Sequence, residues 1–395
     1  MSTDDNQDRA YVEVTWHDPK STAVGYLVVH NLPGTGLATG GTRMRAGCTI
    51  QEVRDLASCM SLKTTIFNLK VGGAKGGIDY DPKAPDAVDV LTRFMTAMRP
   101  WLDTHWVTAE DLGVPQQRLD DVFRSLNLGQ SYHAAIQRSA NPQATLNRIT
   151  TDMKAKVDGQ HEIGDIAGGY GVAQACFGAI KAKRWLANET SAAVQGIGTM
   201  GGSAAWYLHQ AGVKIVALAD AQGCLYNDQG LDVPSLLNMR DASGEINRNL
   251  IDDTDIQQLD RDAILSCEAD ILVPAATSYV INEAVAKSVS ASVIVEAANA
   301  STTPDGEQEL QNRGIPVVPD FVANAGAVVW AWWLLTGYID QDTDATLEKL
   351  RKEIGGKTVK LIQTWDEHGI MPRVTAKQAA ARLISADDNQ TIHIP

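Results

Sequence analysis

The chain has 395 residues, of which 44% are hydrophobic and 21% are charged, and its 48 acidic against 34 basic residues give a formal net charge of −14. This negative charge would repel nucleic acid and anionic membrane surfaces, so we expect neither as a partner. The start MSTDDNQDRA is polar and acidic where a signal peptide is basic and then apolar, and no apolar run reaches the ~18 residues of a spanning helix, which predicts a cytoplasmic protein.

Two domains are expected, because single hydrophobic cores usually stop growing at about 250–300 residues. Five cysteines are scattered along the chain without a C-x-x-C pair or a histidine at metal-ligand spacing: Cys48, Cys59, Cys176, Cys224 and Cys267. Their odd number and their spacing predict buried structural thiols in a reducing compartment, and no metal site.

The first part of the sequence predicts an α/β domain over residues 1–165. YVEVTWHD and YLVVHNL alternate as strands do. A helical pattern follows LATGGTRM and carries Lys63, and we expect the glycine-rich VGGAKGG after it to be a loop that holds Lys75. A second helix, roughly Ala84 to Met98, leads to the short strand HWVTA and then to Asp111.

The next part predicts a doubly wound domain over residues 166–330. Residues from about 126 to 164 are polar and show no convincing strand, so we interpret them as a connecting region or an insertion. From Gly168 onward, helices alternate with the apolar strands SAAVQGIG, VKIVALAD, ADILVPAA, SVIVEAANA and GIPVVPDFV. This alternation is typical of a parallel sheet with right-handed crossovers.

The last part, residues 331–395, reads as helices that we expect to pack back on the first domain. It begins within an aromatic run that contains Trp330, Trp332 and Trp333. Rings at this spacing are interpreted as helix core or a subunit contact, and the alternative is a stacking site for a ligand.

A G-x-G-x-x-G motif at Gly196, Gly198 and Gly201 follows the strand SAAVQ and opens a helix. The first glycine permits a tight turn, the second lets the backbone approach a pyrophosphate, and the third lets helix and strand pack closely. Asp220 lies 19 residues after Gly201 (220 − 201), near the spacing of the carboxylate that accepts ribose hydroxyls. The motif therefore predicts a Rossmann site with NAD preferred to NADP; the alternative is a tight strand-to-helix turn in another doubly wound protein.

Lys63 and Lys75 lie 12 residues apart (75 − 63). A lysine acts as a base near neutral pH only if burial or a neighbouring cation lowers its pKa. Lys63 is therefore a candidate both to bind a substrate carboxylate and to lower the pKa of Lys75. On spacing alone, the alternative is a pair of surface lysines beside a turn, while Gly76 after Lys75 excludes a Walker A loop.

Several blocks resemble, in order, the glutamate/leucine/phenylalanine/valine dehydrogenases: MSLKTTIFNLKVGGAKGGIDYDP, TAEDLGV, the G-x-G-x-x-G region, ADILVPAA, VEAANASTTPDG and PDFVANAGAV. The resemblance covers most of residues 25–340 and is closer to the leucine and phenylalanine type than to glutamate dehydrogenase. It implies an N-terminal substrate domain, a Rossmann domain and a homo-oligomer. It also implies reversible, NAD-dependent oxidative deamination of an L-amino acid to the 2-oxo acid and ammonia.

The resemblance implies that Lys63 binds the α-carboxylate, that Lys75 is the catalytic base and that Asp111 transfers protons. Alone, Asp111 would be interpreted as a helix cap or turn residue. The remaining residues expected at the substrate are Gly40, Gly41, Thr39, Ala109, Asn299, Asn324, Val328 and Ala331. The residues expected at the cofactor are Gly196, Ile197, Gly198, Thr199, Met200, Gly201, Asp220, Ala275 and Asn299.

The identity of the substrate depends on two positions. Glutamate dehydrogenases of this family hold the side-chain carboxylate with a lysine before the Gly-Gly pair and a serine after the A-N-A-G-G block, where this chain has Thr39 and Ala331. Because a buried carboxylate without a cation is costly, we expect a branched-chain or aromatic substrate. Glutamate, a specialised amino acid, and a non-catalytic NAD-binding relative remain alternatives. The chain departs from the family at Gly168, usually threonine, and at Ala327, usually glycine.

Overall fold

The computed structural model describes residues 10–157, 159, 161–241 and 244–387, and these divide into two compact units. Unit 1 comprises residues 10–152, Trp332–Asp340 and 380–387, and unit 2 comprises Met153–Ala331 and Gln341–Ala379, as far as they are described. Within the described part of the chain, none of the helices has the length and apolar character needed to cross a membrane.

Unit 1 is built on a six-stranded mixed sheet. Its elements before residue 153 are β1 (Val12–His17), β2 (Val24–Val29), β3 (Ala38–Thr39), β4 (Thr42–Arg45), α1 (Ile50–Ile66), β5 (Gly72–Asp79), α2 (Ala87–Ala97), α3 (Arg99–Leu102), β6 (Trp106–Val107), α4 (Gln116–Ser125), α5 (His133–Arg138) and α6 (Pro142–Asp152). The strand order is β1-β2-β5-β3-β6, and β4 also pairs with β5. The pairs β1–β2 and β2–β5 are antiparallel, whereas β3 and β4 pair in parallel with β5, and β6 pairs in parallel with β3.

The two faces of this sheet have separate cores. On one face, α1 packs through Val53 and Ala57 against Val28 of β2. On the other face, the ring of Phe94 from α2 lies with its centroid 6.5 Å from that of Trp106. Strand β5 is therefore covered on both sides, and its residues are fixed by the packing around them.

The expectation that VGGAKGG is a loop is wrong, because these residues form the central strand β5. A Cβ at Gly73 would lie 2.2 Å from the backbone nitrogen of Ser61 in α1, and a Cβ at Gly76 would lie 2.7 Å from the indole of Trp106. The glycines serve close packing on both faces rather than a turn. Lys75 is consequently held in a strand.

The region from 126 to 164, interpreted above as a connecting region or an insertion without a convincing strand, is largely helical up to residue 152 through α5 and α6. It ends in a small ribbon of two antiparallel two-residue strands, β7 (Lys156–Val157) and β8 (His161–Glu162). This ribbon belongs to unit 2, so unit 2 begins at Met153 rather than at the expected residue 166.

Unit 2 is a Rossmann-type α/β unit. Its remaining elements are α7 (Ile163–Lys183), β9 (Ser191–Gln195), α8 (Thr199–Gln210), β10 (Lys214–Ala219), β11 (Cys224–Tyr226), α9 (Val233–Asn238), β12 (Gln257–Leu259), β13 (Ile271–Pro274), α10 (Glu283–Ala286), β14 (Val293–Val295), α11 (Pro304–Asn312), β15 (Val317–Val318), α12 (Asp320–Ala323), α13 (Gly326–Leu335), α14 (Thr343–Leu350), α15 (Gly356–His368) and α16 (Pro372–Asp387). Helices α13 and α16 contribute residues to both units.

The sheet of unit 2 has the strand order β12-β11-β10-β9-β13-β14-β15. Five adjacent strands, β10, β9, β13, β14 and β15, pair in parallel with one another, which confirms the fold class predicted from the alternation of helices and strands. Strands β11 and β12 extend one edge in antiparallel pairing and were not predicted. Each has only three residues, which is too short to show a clear period.

The expectation that residues 331–395 pack as a whole on the first domain is wrong for Gln341–Ala379, which belong to unit 2. Two glycines of α7 give the physical reason. A Cβ at Gly171 would lie 2.8 Å from Ile354, and a Cβ at Gly178 would lie 2.7 Å from the carbonyl oxygen of Gly355. The C-terminal helical region therefore packs closely on a groove that these glycines leave open.

The aromatic run of α13 confirms the core interpretation. Trp330, Trp332 and Trp333 are all buried, with exposed fractions of 6%, 2% and 6%. Three of the five cysteines are also buried, namely Cys48, Cys176 and Cys224.

Candidate active site

Lys63 and Lys75 are both buried in unit 1, each with an exposed fraction of 3%. Lys63 lies in the last turn of α1. Lys75 shares a face of β5 with Gly73 and Gly77, which pack against α1, because alternate residues of a strand point to the same side. Among the described residues, no carboxylate forms an ion pair with Lys63. A buried ammonium without a carboxylate partner is a natural receptor for an anionic group.

Asp111, in the loop after β6, forms an ion pair with Lys75, with 2.6 Å between Oδ2 and Nζ. Burial lowers the pKa of Lys75; the Asp111 carboxylate opposes this, and the Arg43 and Lys63 cations reinforce it. Burial by itself would raise the pKa of Asp111, but Lys75 and Arg43 outweigh it and hold that pKa below its usual range. The pair combines a desolvated lysine with an ionised carboxylate, a suitable arrangement for proton transfer.

Arg43 of β4 is a member of this cluster that the sequence analysis missed. Its Nε donates to the same Asp111 oxygen at 3.0 Å, and its Nη1 contacts Glu52 of α1 at 2.5 Å. Arg45 also donates to both oxygens of the Glu52 carboxylate. The only signal in the sequence is a charged residue immediately after the buried stretch LATGGT, which calls for a partner when buried.

Four further expected residues lie around this cluster. A Cβ at Gly40 would lie 1.6 Å from the carbonyl oxygen of Ala74, and a Cβ at Gly41 would lie 2.5 Å from that of Glu110. Thr39 is buried beside them, and the carbonyl oxygen of Ala109 accepts a backbone hydrogen bond from Thr42 at 3.0 Å. The backbone of Gly40 and Gly41 can therefore lie close both to the strand next to Lys75 and to the loop that carries Asp111.

In unit 2, the glycine motif has the geometry of a dinucleotide-binding turn. Gly196 has φ +90, which only glycine adopts easily, and Ala275 lies against it at 3.0 Å from the position of a Cβ. A Cβ at Gly201 would lie 1.8 Å from the carbonyl oxygen of Gly196, so α8 packs tightly on the turn. A Cβ at Gly198 would meet no atom within 4 Å.

The start of α8 leaves an anion site beside this open space. The helix begins at Thr199 with Gly198 as its N-cap, and no side chain caps it. Uncapped N–H groups at a helix N-terminus favour a phosphate. Met200 lies against Gly168, where a Cβ would be 2.4 Å from its sulfur, so a larger residue at position 168 would require the Met200 side chain to move. The turn therefore fits a pyrophosphate, and Ile197 lies within it.

Asp220 follows β10, and five donors already occupy its carboxylate. Arg248 donates two hydrogen bonds, at 2.6 and 2.9 Å, and the backbone nitrogens of Gln222, Gly223 and Ile246 donate one each. Burial alone would raise the pKa of Asp220, but Arg248 and these backbone donors lower it. Its contact with a ribose stays a prediction, and it requires one of these donors to give way.

Asn299 and Asn324 are brought together in unit 2. The amide nitrogen of Asn324 donates to the Asn299 side-chain oxygen at 2.9 Å and to the carbonyl oxygen of Ala297 at 3.1 Å. The side-chain oxygen of Asn324 is buried and has no hydrogen-bond partner within the described residues. An unpartnered buried acceptor suits a ligand that brings an N–H group. Val328 and Ala331 follow on α13, partly buried and buried.

A buried ionic network, also missed in the sequence analysis, supports this segment. Arg373 of α16 contacts Glu296 at 2.5 Å, Glu307 at 2.6 Å and Asp320 at 3.4 Å. Glu296 in turn accepts from the backbone of Thr302 and Asp320, and Asp320 accepts from the backbone of Ala300. Ala300 has φ +49, a left-handed conformation that needs such support. The network thereby fixes the segment that carries Asn299.

Comparison with known proteins gives two family matches. The model described as "Glutamate/Leucine/Phenylalanine/Valine dehydrogenase" matches residues 159–390, and "Glu/Leu/Phe/Val dehydrogenase, dimerisation domain" matches residues 7–127. An NAD-specific glutamate dehydrogenase of Staphylococcus aureus is 32% identical over 343 residues, which are 84% of this chain and 78% of that protein. The catabolic NAD-specific glutamate dehydrogenase of Bacillus subtilis is 31% identical over 91% of this chain and 82% of its own length.

Solved structures show the same fold. The hetero-hexameric glutamate dehydrogenase of Thermus thermophilus, in a leucine-bound form, superimposes with a TM-score of 0.75 at 27% identity, covering 95% of this chain and 89% of that one. The glutamate dehydrogenase of Plasmodium falciparum has a TM-score of 0.74 at 19% identity, covering 96% and 83%, and it supports the fold alone.

Proposed function

Because this chain belongs to the glutamate/leucine/phenylalanine/valine dehydrogenase family, we propose that it catalyses the NAD-dependent, reversible oxidative deamination of an L-amino acid to the 2-oxo acid and ammonia. The observation that carries the proposal is the buried Lys63, without a carboxylate partner, close to the ion pair of Lys75 and Asp111. This arrangement offers a receptor for the substrate α-carboxylate and a proton-transfer pair in one unit.

The chemistry assigned to the residues of unit 1 follows from their charges. Lys63 binds the substrate carboxylate and so fixes the position of Cα. When bound, the nicotinamide would supply the acceptor for the hydride from Cα, and the substrate would thereby become an iminium. Lys75 takes a proton from the water that attacks the iminium carbon, and Asp111 transfers protons to and from the nitrogen, so that ammonia can leave.

The cofactor is assigned to unit 2. Gly196, Gly198 and Gly201 hold the pyrophosphate at the uncapped start of α8, and Thr199 and Met200 form the first turn of that helix. We propose NAD rather than NADP. The supporting observations are the carboxylate of Asp220 after β10 and the NAD-specific relatives, and the assignments of Ile197, Ala275 and Asn299 go with them.

Gly198→Val tests the cofactor site. Because a Cβ at Gly198 meets no protein atom, we expect an unchanged melting temperature, but the side chain would occupy the space assigned to the pyrophosphate. NADH binding, followed by fluorescence titration, should weaken by ~10-fold or more, equivalent to about 1.4 kcal/mol. Gly356→Val on α15, where a Cβ also meets nothing, is the matched control and should bind NADH as the unchanged protein does. Equal affinities for all three proteins would refute this assignment.

We further propose that the substrate side chain is apolar, branched-chain or aromatic. The support is that position 39 carries the uncharged Thr39 and position 331 the small, buried Ala331. Ala109, Val328 and Asn324 are the other residues proposed to contact the substrate. The relatives compared above are glutamate dehydrogenases, so glutamate is the direct alternative, and a specialised amino acid or a non-catalytic NAD-binding protein are the others. A panel of L-amino acids with NAD and NADP separates them.

Thr39→Lys is the sharper test of the pocket. A buried lysine is costly when an apolar substrate side chain leaves it without a partner. It is favourable when the substrate brings a carboxylate. We therefore expect kcat/KM to fall by ~10-fold or more for leucine or phenylalanine and to rise for glutamate. Thr39→Val, which adds no charge, should keep the original ranking. A Thr39→Lys variant with unchanged substrate ranking would show that this position does not face the substrate.

The family match to a dimerisation domain over residues 7–127 supports a further proposal, that the chain forms a symmetric homo-oligomer. The Thermus thermophilus relative is a hetero-hexamer. Light scattering coupled to size-exclusion chromatography measures the subunit number directly, and a monomer at micromolar concentration would contradict the proposal.

A further inference from the structure

Arg43 is buried between two carboxylates in unit 1, with an exposed fraction of 4%. Its Nε lies 3.0 Å from the Asp111 oxygen that the Lys75 ammonium approaches to 2.6 Å. Its other end is held by Glu52 at 2.5 Å. One carboxylate oxygen thus lies between two cations, and the guanidinium is fixed at both ends.

We infer that Arg43 is a positioning residue for the proposed acid–base pair: it orients the Asp111 carboxylate and makes it easier for Lys75 to lose its proton. The inference rests on the proposed function. The Asp111 carboxylate is oriented by the planar guanidinium of Arg43. Because Glu52 of α1 holds the other end of this group, the Nε–H points in one fixed direction, towards Asp111.

The effect on Lys75 has two parts that act in the same direction. Arg43 carries a positive charge near the Lys75 ammonium and repels it. It also shares the Asp111 carboxylate, and so weakens the stabilisation that this carboxylate gives to protonated Lys75. Loss of the arginine charge therefore raises the pKa of Lys75 in both ways. It also raises the pKa of Asp111, because one of its two stabilising cations is lost.

The other charged and titratable groups around Arg43 and Lys75 come from three elements and two loops of unit 1. They are Lys63 and Glu52 of α1, Arg45 of β4, Asp79 of β5, the Cys48 thiol before α1 and Asp111 after β6. Arg45 also contacts the Glu52 carboxylate, it is half-buried, and its described ion pairs do not include Asp111. Arg45 therefore serves as a matched control that shares the anchor but not the carboxylate of interest.

The experiment compares the pH dependence of kcat/KM for amino-acid oxidation in the unchanged protein, Arg43→Gln, Arg43→Lys and Arg45→Gln. For Arg43→Gln we expect the acid limb to move ~1 pH unit towards alkaline pH and kcat to fall more than KM rises. Arg43→Lys keeps the charge and should restore most of the original profile. Arg45→Gln should superimpose on the unchanged protein.

In Arg43→Gln, Glu52 loses its buried cationic partner, and this loss is expected to lower the stability of the variant. If the melting temperature of that variant is lowered, the double variant Arg43→Gln/Glu52→Gln replaces it, because it removes the Arg43 charge together with the Glu52 carboxylate that holds it. The same shift of the acid limb is expected for the double variant. A folded variant without the Arg43 charge whose profile matches the unchanged protein would overturn the inference alone. If the unchanged protein, still binding NADH, oxidises no amino acid, the proposed function and this inference both fall.

Discussion

Lys75→Ala is expected to lower kcat/KM for amino-acid oxidation by ~10²–10⁴-fold, the range typical for loss of a positioned acid or base. The reason lies in the environment of the lysine. It is buried in a central strand, it contacts Asp111 at 2.6 Å, and burial lowers its pKa towards the range in which it can act as a base. Alanine removes the base but leaves Arg43 to hold Asp111 in place.

The measurement is the rate of NADH formation with the best substrate of the panel, together with NADH affinity from fluorescence titration. NADH affinity should not change, because the cofactor is assigned to unit 2. Lys83→Ala, an exposed lysine after the same strand, is the control and should keep full activity. A Lys75→Ala variant that retains more than about a tenth of the activity would exclude Lys75 as the base.

Arg373→Met is expected to lower the free energy of unfolding by ~3–5 kcal/mol, the usual cost of removing one partner from a buried ionic cluster. Arg373 neutralises three carboxylates at distances of 2.5 to 3.4 Å, and two of them, Glu296 and Asp320, are almost fully buried. Methionine fills a similar volume but removes the cation that contacts these carboxylates. The segment that carries Asn299 should then loosen, and NADH binding should weaken with it.

The loss of stability in Arg373→Met should depend on pH. Burial raises the pKa of Glu296 above its ordinary value even with the arginine present, and removal of the arginine raises it further. A carboxyl group whose pKa is raised in the folded state favours folding at low pH and loses this contribution as the pH rises through that pKa. The difference between variant and unchanged protein should therefore be smaller at pH 5 than at pH 7.

Urea unfolding at the two pH values measures both effects. Lys377→Met, an exposed position four residues further along α16, is the matched control and should stay within about 0.5 kcal/mol of the unchanged protein. A Lys377→Met variant as unstable as Arg373→Met would attribute the loss to the helix rather than to the ionic cluster. An Arg373→Met variant of unchanged stability would mean that the three carboxylates do not need the guanidinium.

The sequence predicted the features that depend on local pattern. The alternation of apolar strands with helices gave the parallel sheet of unit 2, and the glycine spacing located the turn before α8. It failed for β5, because glycine is read as a signal for loops while these glycines serve packing by residues distant in the chain. Whether such a glycine-rich segment forms a strand or a loop depends on the residues that pack against its two faces.

The ionic contacts were missed because they join residues that are far apart in the sequence. Arg43 and Asp111 are separated by 68 positions, and Glu296 and Arg373 by 77. A single charge at the end of an apolar strand, as in SVIVEAAN, indicates that a partner exists but not which residue it is. Likewise, the spacing between Asp220 and the glycine motif does not predict the ion pair that Arg248 forms with the Asp220 carboxylate.

The packing of β5 also limits how the protein can be altered by directed evolution. At Gly72, Gly73, Gly76 and Gly77 even a methyl group would lie less than 3.0 Å from a neighbouring atom, so almost every codon change there is lost to misfolding before activity is screened. A library directed at this strand would therefore return mostly the parent sequence. Diversity is better placed at Thr39 and Ala331, the two positions that we propose above as determinants of the accepted amino acid.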